Sequence, residues 1–150
     1  MIPPSLQLDK YFFPHVSIQA NIEYRPDAEE ETVCGYDIAS HLGVNKDNEN
    51  KYQLQLEIRT ASESCKNPSY EIELTVVGFF EVAADFPDKK KLVNITGASI
   101  LYSAAREFLL TLTSRGPWPP VNLPTYSFMT TDDPPKKIAP KSRKTIKKST

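Results

Sequence analysis

The sequence predicts one domain in which an antiparallel sheet is followed by a single long helix. Three observations carry this. YQLQLEIRT (52–60) and YEIELTVVGFFEV (70–82) alternate apolar and polar residues, which is the period of a strand with one wet face. The intervening SESCKNPS is built of turn residues, so the two runs should pair antiparallel. Residues 98–114, ASILYSAAREFLLTLTS, switch to a helical period. A chain of 150 residues is long enough to bury one core.

Taken in order, SLQLDKYFFPHVSIQA (5–20) alternates at Leu6/Leu8 and again at Val16/Ile18/Ala20, so it reads as a strand broken by a bend at Pro14. Residues 21–50 are acidic and irregular around VCGYDIASHLGV, and read as a crossing loop with a short edge strand. In the first clear strand Leu54, Leu56 and Ile58 face one way; in the second Ile72, Leu74 and Val76 do, extended by Phe79–Val82. FPDKKK (86–91) reads as a solvated turn. In the helix, Ile100, Ala104, Phe108 and Leu112 form one ridge and Leu101, Ala105 and Leu109 the next. Gly116 stands where a C-terminal cap belongs and Pro117 bars continuation. Tyr102 and Leu110 fall outside this stripe and give the helix a second sticky face, of the kind that meets another subunit.

Composition is that of a globular protein, 39% hydrophobic and 25% charged, with 13 Pro against 5 Gly. Charge is uneven. From Asp132 onward seven Lys/Arg and two Asp give five net positive charges, whereas the rest has eleven bases against seventeen acids. The Pro- and Lys-rich stretch after Phe128 is expected to be disordered, so the domain is set at 1–131 and the basic tail at 132–150. MIPPSLQLDK lacks the apolar centre of a secretory signal, and no run approaches the ~20 apolar residues of a membrane span. A cytoplasmic protein is expected, with Asn94-Ile95-Thr96 a chance glycosylation triplet. Cys34 and Cys65, without a CxxC or a His cluster, are expected to be unpaired thiols in a reducing compartment.

No catalytic, metal or cofactor motif is present, and no enzyme is expected. His15 and His41 read as surface histidines, and Glu71/Glu73 as the wet face of a strand. What remains is apolar surface. RGPWPPVNLPTYSFM (115–129) interleaves Trp118, Val121, Leu123, Tyr126, Phe128 and Met129 with prolines. These residues either trim the core or, on a backbone stiffened by proline, present aromatics to another chain.

Residues 99–124 resemble the SecB export chaperones. SILYSAARE and TSRGPWPPVNLP look like that family's helix and following loop, of pattern ILFPYARE…SRGxFPxLNLxP. Ile100-Leu101, Ala105-Arg106-Glu107, Ser114-Arg115-Gly116, Pro119 and Asn122-Leu123 match as they stand, and Trp118 takes the place of the family's aromatic. The resemblance extends over about 5–128. It implies an α+β subunit with a four-stranded antiparallel sheet and one long helix packed on it. It also implies dimers or tetramers joined through that helix, here Tyr102, Ala105, Arg106, Leu109 and Leu110. The implied activity is that of a holdase, which keeps unfolded clients in apolar grooves without ATP or cofactor. The groove would be lined by Trp118, Val121, Leu123, Tyr126, Phe128 and Met129, and by Tyr36, Leu42 and Val44 in the crossing loop. Tyr102-Ser103-Ala104 replaces the family's Phe-Pro-Tyr, and the second, C-terminal helix is missing. These departures favour a chaperone dedicated to the antitoxin of a toxin–antitoxin–chaperone module over a general one delivering precursors to SecA. Nucleic-acid binding through the tail is the reading from another class. The acidic body and the tail's lack of interleaved aromatics weigh against it.

Overall fold

The computed structural model describes residues 2–28, 33–129 and 136–138. Four long strands, β1 (Leu6–Ala20), β2 (Val33–Val44), β3 (Lys51–Lys66) and β4 (Tyr70–Val82), precede a helical stretch, and a short β5 (Lys136–Ile138) follows it. They form one sheet in the order β1-β4-β3-β2-β5, with every neighbouring pair antiparallel. β3 and β4 lie inside the sheet, which is why their alternation is sharp. Tyr52, Leu54, Leu56 and Ile58 stand opposite Phe80, Gly78, Val76 and Leu74, and all eight are buried under the helix. The turn between them is shorter than expected, because SESCK continues β3. Asn67 makes the reversal at φ 48°, a left-handed conformation that Asn tolerates. Its side chain also exchanges hydrogen bonds of 2.9 Å with the backbone N–H and C=O of Arg25.

β1 is continuous where a break was expected. Pro14 falls within a register shift between Phe12 and His15, a bulge at which its missing N–H disturbs no ladder bond. β2 corrects the expected crossing loop. It pairs along β3 from Tyr36 opposite Thr60 to Val44 opposite Tyr52. Near its start, a shift between Val33 and Gly35 sets Cys34 beside Cys65, and the two form a disulfide with Cα atoms 4.1 Å apart. The expectation of two free thiols is therefore overturned, and with it the argument from them to a reducing compartment.

The helical stretch begins earlier than the helical period does. α1 (Lys89–Leu92) starts in the segment read as a turn, passes through a wider π turn at Val93–Gly97, and continues as α2 (Ala98–Thr113). Asp88 caps it by accepting the Lys91 N–H at 3.2 Å. Three lysines in a first turn oppose the helix dipole, so composition there points away from a helix. α2 lies close on β4. A Cβ on Gly78 would stand 2.7 Å from Leu101 Cδ2, so only glycine admits the helix at this distance. Leu101, Ala105 and Leu109 are fully buried, each leucine contributing about 1.5–3 kcal/mol by leaving water. The other ridge lies at the flank: Ile100 and Leu112 remain 37% and 36% exposed, while Phe108 stacks on Phe13 of β1 with centroids 4.3 Å apart.

Gly116 is not a left-handed cap, since no glycine has positive φ. Its role is spatial, because a Cβ there would overlap the Tyr70 phenol. Among the described residues no second helix follows Thr113. β5 amends the expected tail disorder at Lys136–Ile138, which pairs with Tyr36–Ile38 on the outer edge of β2. An unpaired edge offers backbone groups that any extended segment can satisfy. The remainder of the 132–150 tail lies outside the described residues.

Candidate binding cleft

The chain leaves α2 through a turn pinned from three sides. The Tyr70 hydroxyl accepts the Trp118 N–H at 3.0 Å, and lies within hydrogen-bond reach of the Thr113 and Trp118 carbonyls. The Thr113 hydroxyl donates to the Leu109 carbonyl at 2.7 Å and accepts the Val121 N–H at 2.8 Å. Trp118 Nε1–H donates to the Asn21 carbonyl at 3.0 Å, and its ring packs on Tyr24 at 5.0 Å. Trp118 is thus a half-buried tie between the helix exit and the β1–β2 connection.

Beyond this turn, residues 119–125 form one wall of a cleft of about 420 Å³. The facing wall is Cys34 and Tyr36 of β2, with Tyr24, Ser69 and Tyr70 at one end and Arg106 of α2 in the floor. Arg106 donates from Nη2 to Asn122 Oδ1 at 3.2 Å, tying helix to wall. Behind the wall Tyr102, Tyr126 and Phe128 pack edge-on, and the Tyr102 hydroxyl donates to the Pro124 carbonyl. Burial pushes the Tyr36 phenol up to about 12 and raises that of Tyr102 as well. Tyr36 therefore lines the cleft as a neutral phenol, with Tyr102 behind the wall.

The residues expected to bind clients do not all come together. Tyr36, Val121 and Leu123 line the cleft, but their side chains are largely within the core, Leu123 being only 1% exposed. Phe128 is buried with Tyr126 half-buried beside it, and Trp118 is half-buried against Tyr24. Met129 is 69% exposed at the end of the wall. Leu42 and Val44 stand at the far end of β2, where Val44 borders a separate hollow of about 340 Å³. The expected subunit-interface set is also redistributed. Tyr102, Ala105 and Leu109 are buried inside the subunit, leaving them no surface for a partner. Arg106 lines the cleft, and Leu110 is half-buried. The exposed ridge is Ile100 and Leu112, because the helix is rotated so that the Leu101 ridge meets the sheet. Sequence reasoning missed Tyr24 and Tyr70 in the cleft. Tyr70 carried a signal, as it opens an alternating strand; Tyr24 lies in a polar stretch that offered none. His15 and His41 stand on exposed positions beside Glu73 and Glu57, at 3.7 and 2.8 Å.

The family described as preprotein translocase subunit SecB matches residues 3–131. The chain belongs to the SecB family. A Methanocaldococcus jannaschii protein described as uncharacterized is 30% identical over 128 residues, 81% of this chain and 80% of that one. The SecB-like fold also matches that of the Mycobacterium tuberculosis chaperone Rv1957, solved in complex with a ChAD peptide from the HigA1 antitoxin. The TM-score is 0.63 over 81% of this chain and 91% of that one, at 13% identity. The SecB family is a chaperone family. Among the described residues no helix is long and apolar enough to cross a membrane.

Proposed function

We propose that this SecB-like protein is an ATP-independent holdase that takes an extended, partly apolar client segment into the cleft between β2 and residues 119–125. The observation that carries this is the cleft's construction. One wall is a proline-stiffened segment fixed by Tyr70, Thr113 and Arg106, and the other is an aromatic-bearing strand close to the sheet edge. Walls already held in place lose little freedom when a client enters. We assign the client as a dedicated antitoxin. Support comes from the antitoxin peptide bound to the M. tuberculosis chaperone of like fold. Delivery of export precursors to SecA is the competing service; co-purification of many precursors instead of one partner would favour it.

The exposed ridge of Ile100 and Leu112, beside Tyr11 and Val16 of the open β1 edge, is where we place a second copy of the chain in a cytoplasmic homo-oligomer.

The cleft is tested with Pro120→Asp and Tyr24→Ala, which change its lining without entering the core. Each should weaken holding of unfolded, carboxymethylated lactalbumin about tenfold, the loss of one well-placed contact, while Tm stays within a few degrees. Wild-type holding by both folded variants would refute the cleft as the binding site.

A further inference from the structure

The outer edge of β2 is occupied by the chain's own tail. Lys136, Lys137 and Ile138 pair antiparallel with Ile38, Asp37 and Tyr36, and Tyr36 is also a wall of the cleft. We propose that the edge of β2 is a strand-addition site for the client and that β5 is its resident placeholder, displaced when an extended client segment binds. This rests on the holdase reading above and specifies how the client's backbone is held.

Three features support a placeholder over a permanent fifth strand. β5 covers three residues of a twelve-residue strand, so the edge from Ala39 to Val44 carries no partner from β5. Three residue pairs alone hold a strand weakly. Docking depends on the tether, which keeps the segment near its site at an effective concentration of roughly millimolar. A client strand pairing along 36–44 would make more ladder bonds and win that competition.

The register adds a chemical preference. Asp37 is half-buried in the edge strand, and its Oδ1 is shielded from water with no hydrogen-bond partner among the described residues. Arg59 of β3 holds the inner register position opposite it and Lys137 the outer one, where opposite charges stabilise and like charges oppose pairing. The occupant that fits is therefore an extended segment with a basic residue opposite Asp37. Over residues 132–150 the sequence carries five net positive charges against an acidic body, the balance that suits such an occupant.

The experiment compares the full chain, a form ending at Thr131, and Lys137→Glu. The probe is fluorescein-labelled carboxymethylated lactalbumin, and the second readout is amide hydrogen exchange at residues 36–38. Removing a placeholder that is docked nine-tenths of the time tightens client binding about tenfold. The truncated form should therefore bind several-fold to tenfold tighter, Lys137→Glu should shift the same way, and added peptide 132–150 should reverse the gain. Exchange at 36–38 should quicken on truncation. Equal lactalbumin affinity with and without the tail overturns the placeholder and leaves the holdase reading standing. Tail-dependent protection at 36–38 with no lactalbumin binding by any form overturns the holdase reading and upholds the docked strand. Exchange at 36–38 that ignores the tail overturns the docked strand outright.

Discussion

The two flanks of α2 meet solvent in different ways. On the β1 side the sheet ends in an open edge, and the apolar ridge of Ile100 and Leu112 lies exposed beside the stacked Phe13–Phe108 pair. On the β2 side the same helix is roofed by residues 119–128, with Tyr102, Tyr126 and Phe128 sealing the joint, a disulfide anchoring the strand start and β5 covering the edge. A bare apolar ridge with no local cover suits a permanent partner. A cleft fixed by hydrogen bonds and covered by a three-residue strand suits an occupant that comes and goes. Under the function proposed above, one helix separates an assembly face from an exchange face.

The largest expected effect comes from charging the assembly face. Ile100→Asp with Leu112→Asp would place two unpaired carboxylates in the contact, each costing about 3–5 kcal/mol when buried without a partner. Association should weaken more than a thousandfold, read by sedimentation equilibrium, while the monomer keeps its fold and its cleft. A wild-type chain that sediments as a monomer at micromolar concentration would erase the distinction between the flanks.

The next effect belongs to the exchange face. Cys34→Ser opens a disulfide that closes a separation of 31 residues, and should lower stability by about 2–4 kcal/mol in denaturant titrations. Because the bond anchors the start of β2, client affinity should fall along with stability, and a reductant should reproduce both losses in the wild type. Unchanged stability under reductant would remove the disulfide from this account.

How much of this was legible follows the same division. β3 and β4 were readable because interior strands with one wet face alternate cleanly, as Leu54-Leu56-Ile58 against Ile72-Leu74-Val76. The helix was readable as a helix, but its rotation was not. Both ridges are apolar, and Gly78, which admits Leu101, lies twenty-three residues away on β4 and carries no helical signal. β2 was hidden because Asp37, Ser40, His41 and Gly43 dilute its alternation. With the strand unseen, the pairing of Cys34 with Cys65 was unseen too. The 115–129 segment stands out in the sequence because its aromatics are interleaved with prolines. Whether Trp118 turned inward depended on a carbonyl at Asn21, ninety-seven residues away, which no local pattern encodes.

The smallest effect separates the flanks by pH. Tyr36 belongs to the cleft wall, and burial raises its phenol from 10.0 to about 12. The folded chain therefore holds this proton after the unfolded chain has begun to release it. The contribution is complete below pH 10 and is lost as pH climbs from 10 towards 12, for a total of about 2–3 kcal/mol. Tyr102 shifts in the same direction for the same first cause, so the β2 flank should loosen as a unit in alkali. Tyr36→Phe, which has no proton to release, should be less sensitive than the wild type across that window. The gap between the two unfolding curves should widen with pH, and client release should follow it. A wild-type and Tyr36→Phe pair whose stabilities run parallel from pH 9 to 12 would mean that this phenol is open to water, and that the cleft wall is looser than its hydrogen bonds imply.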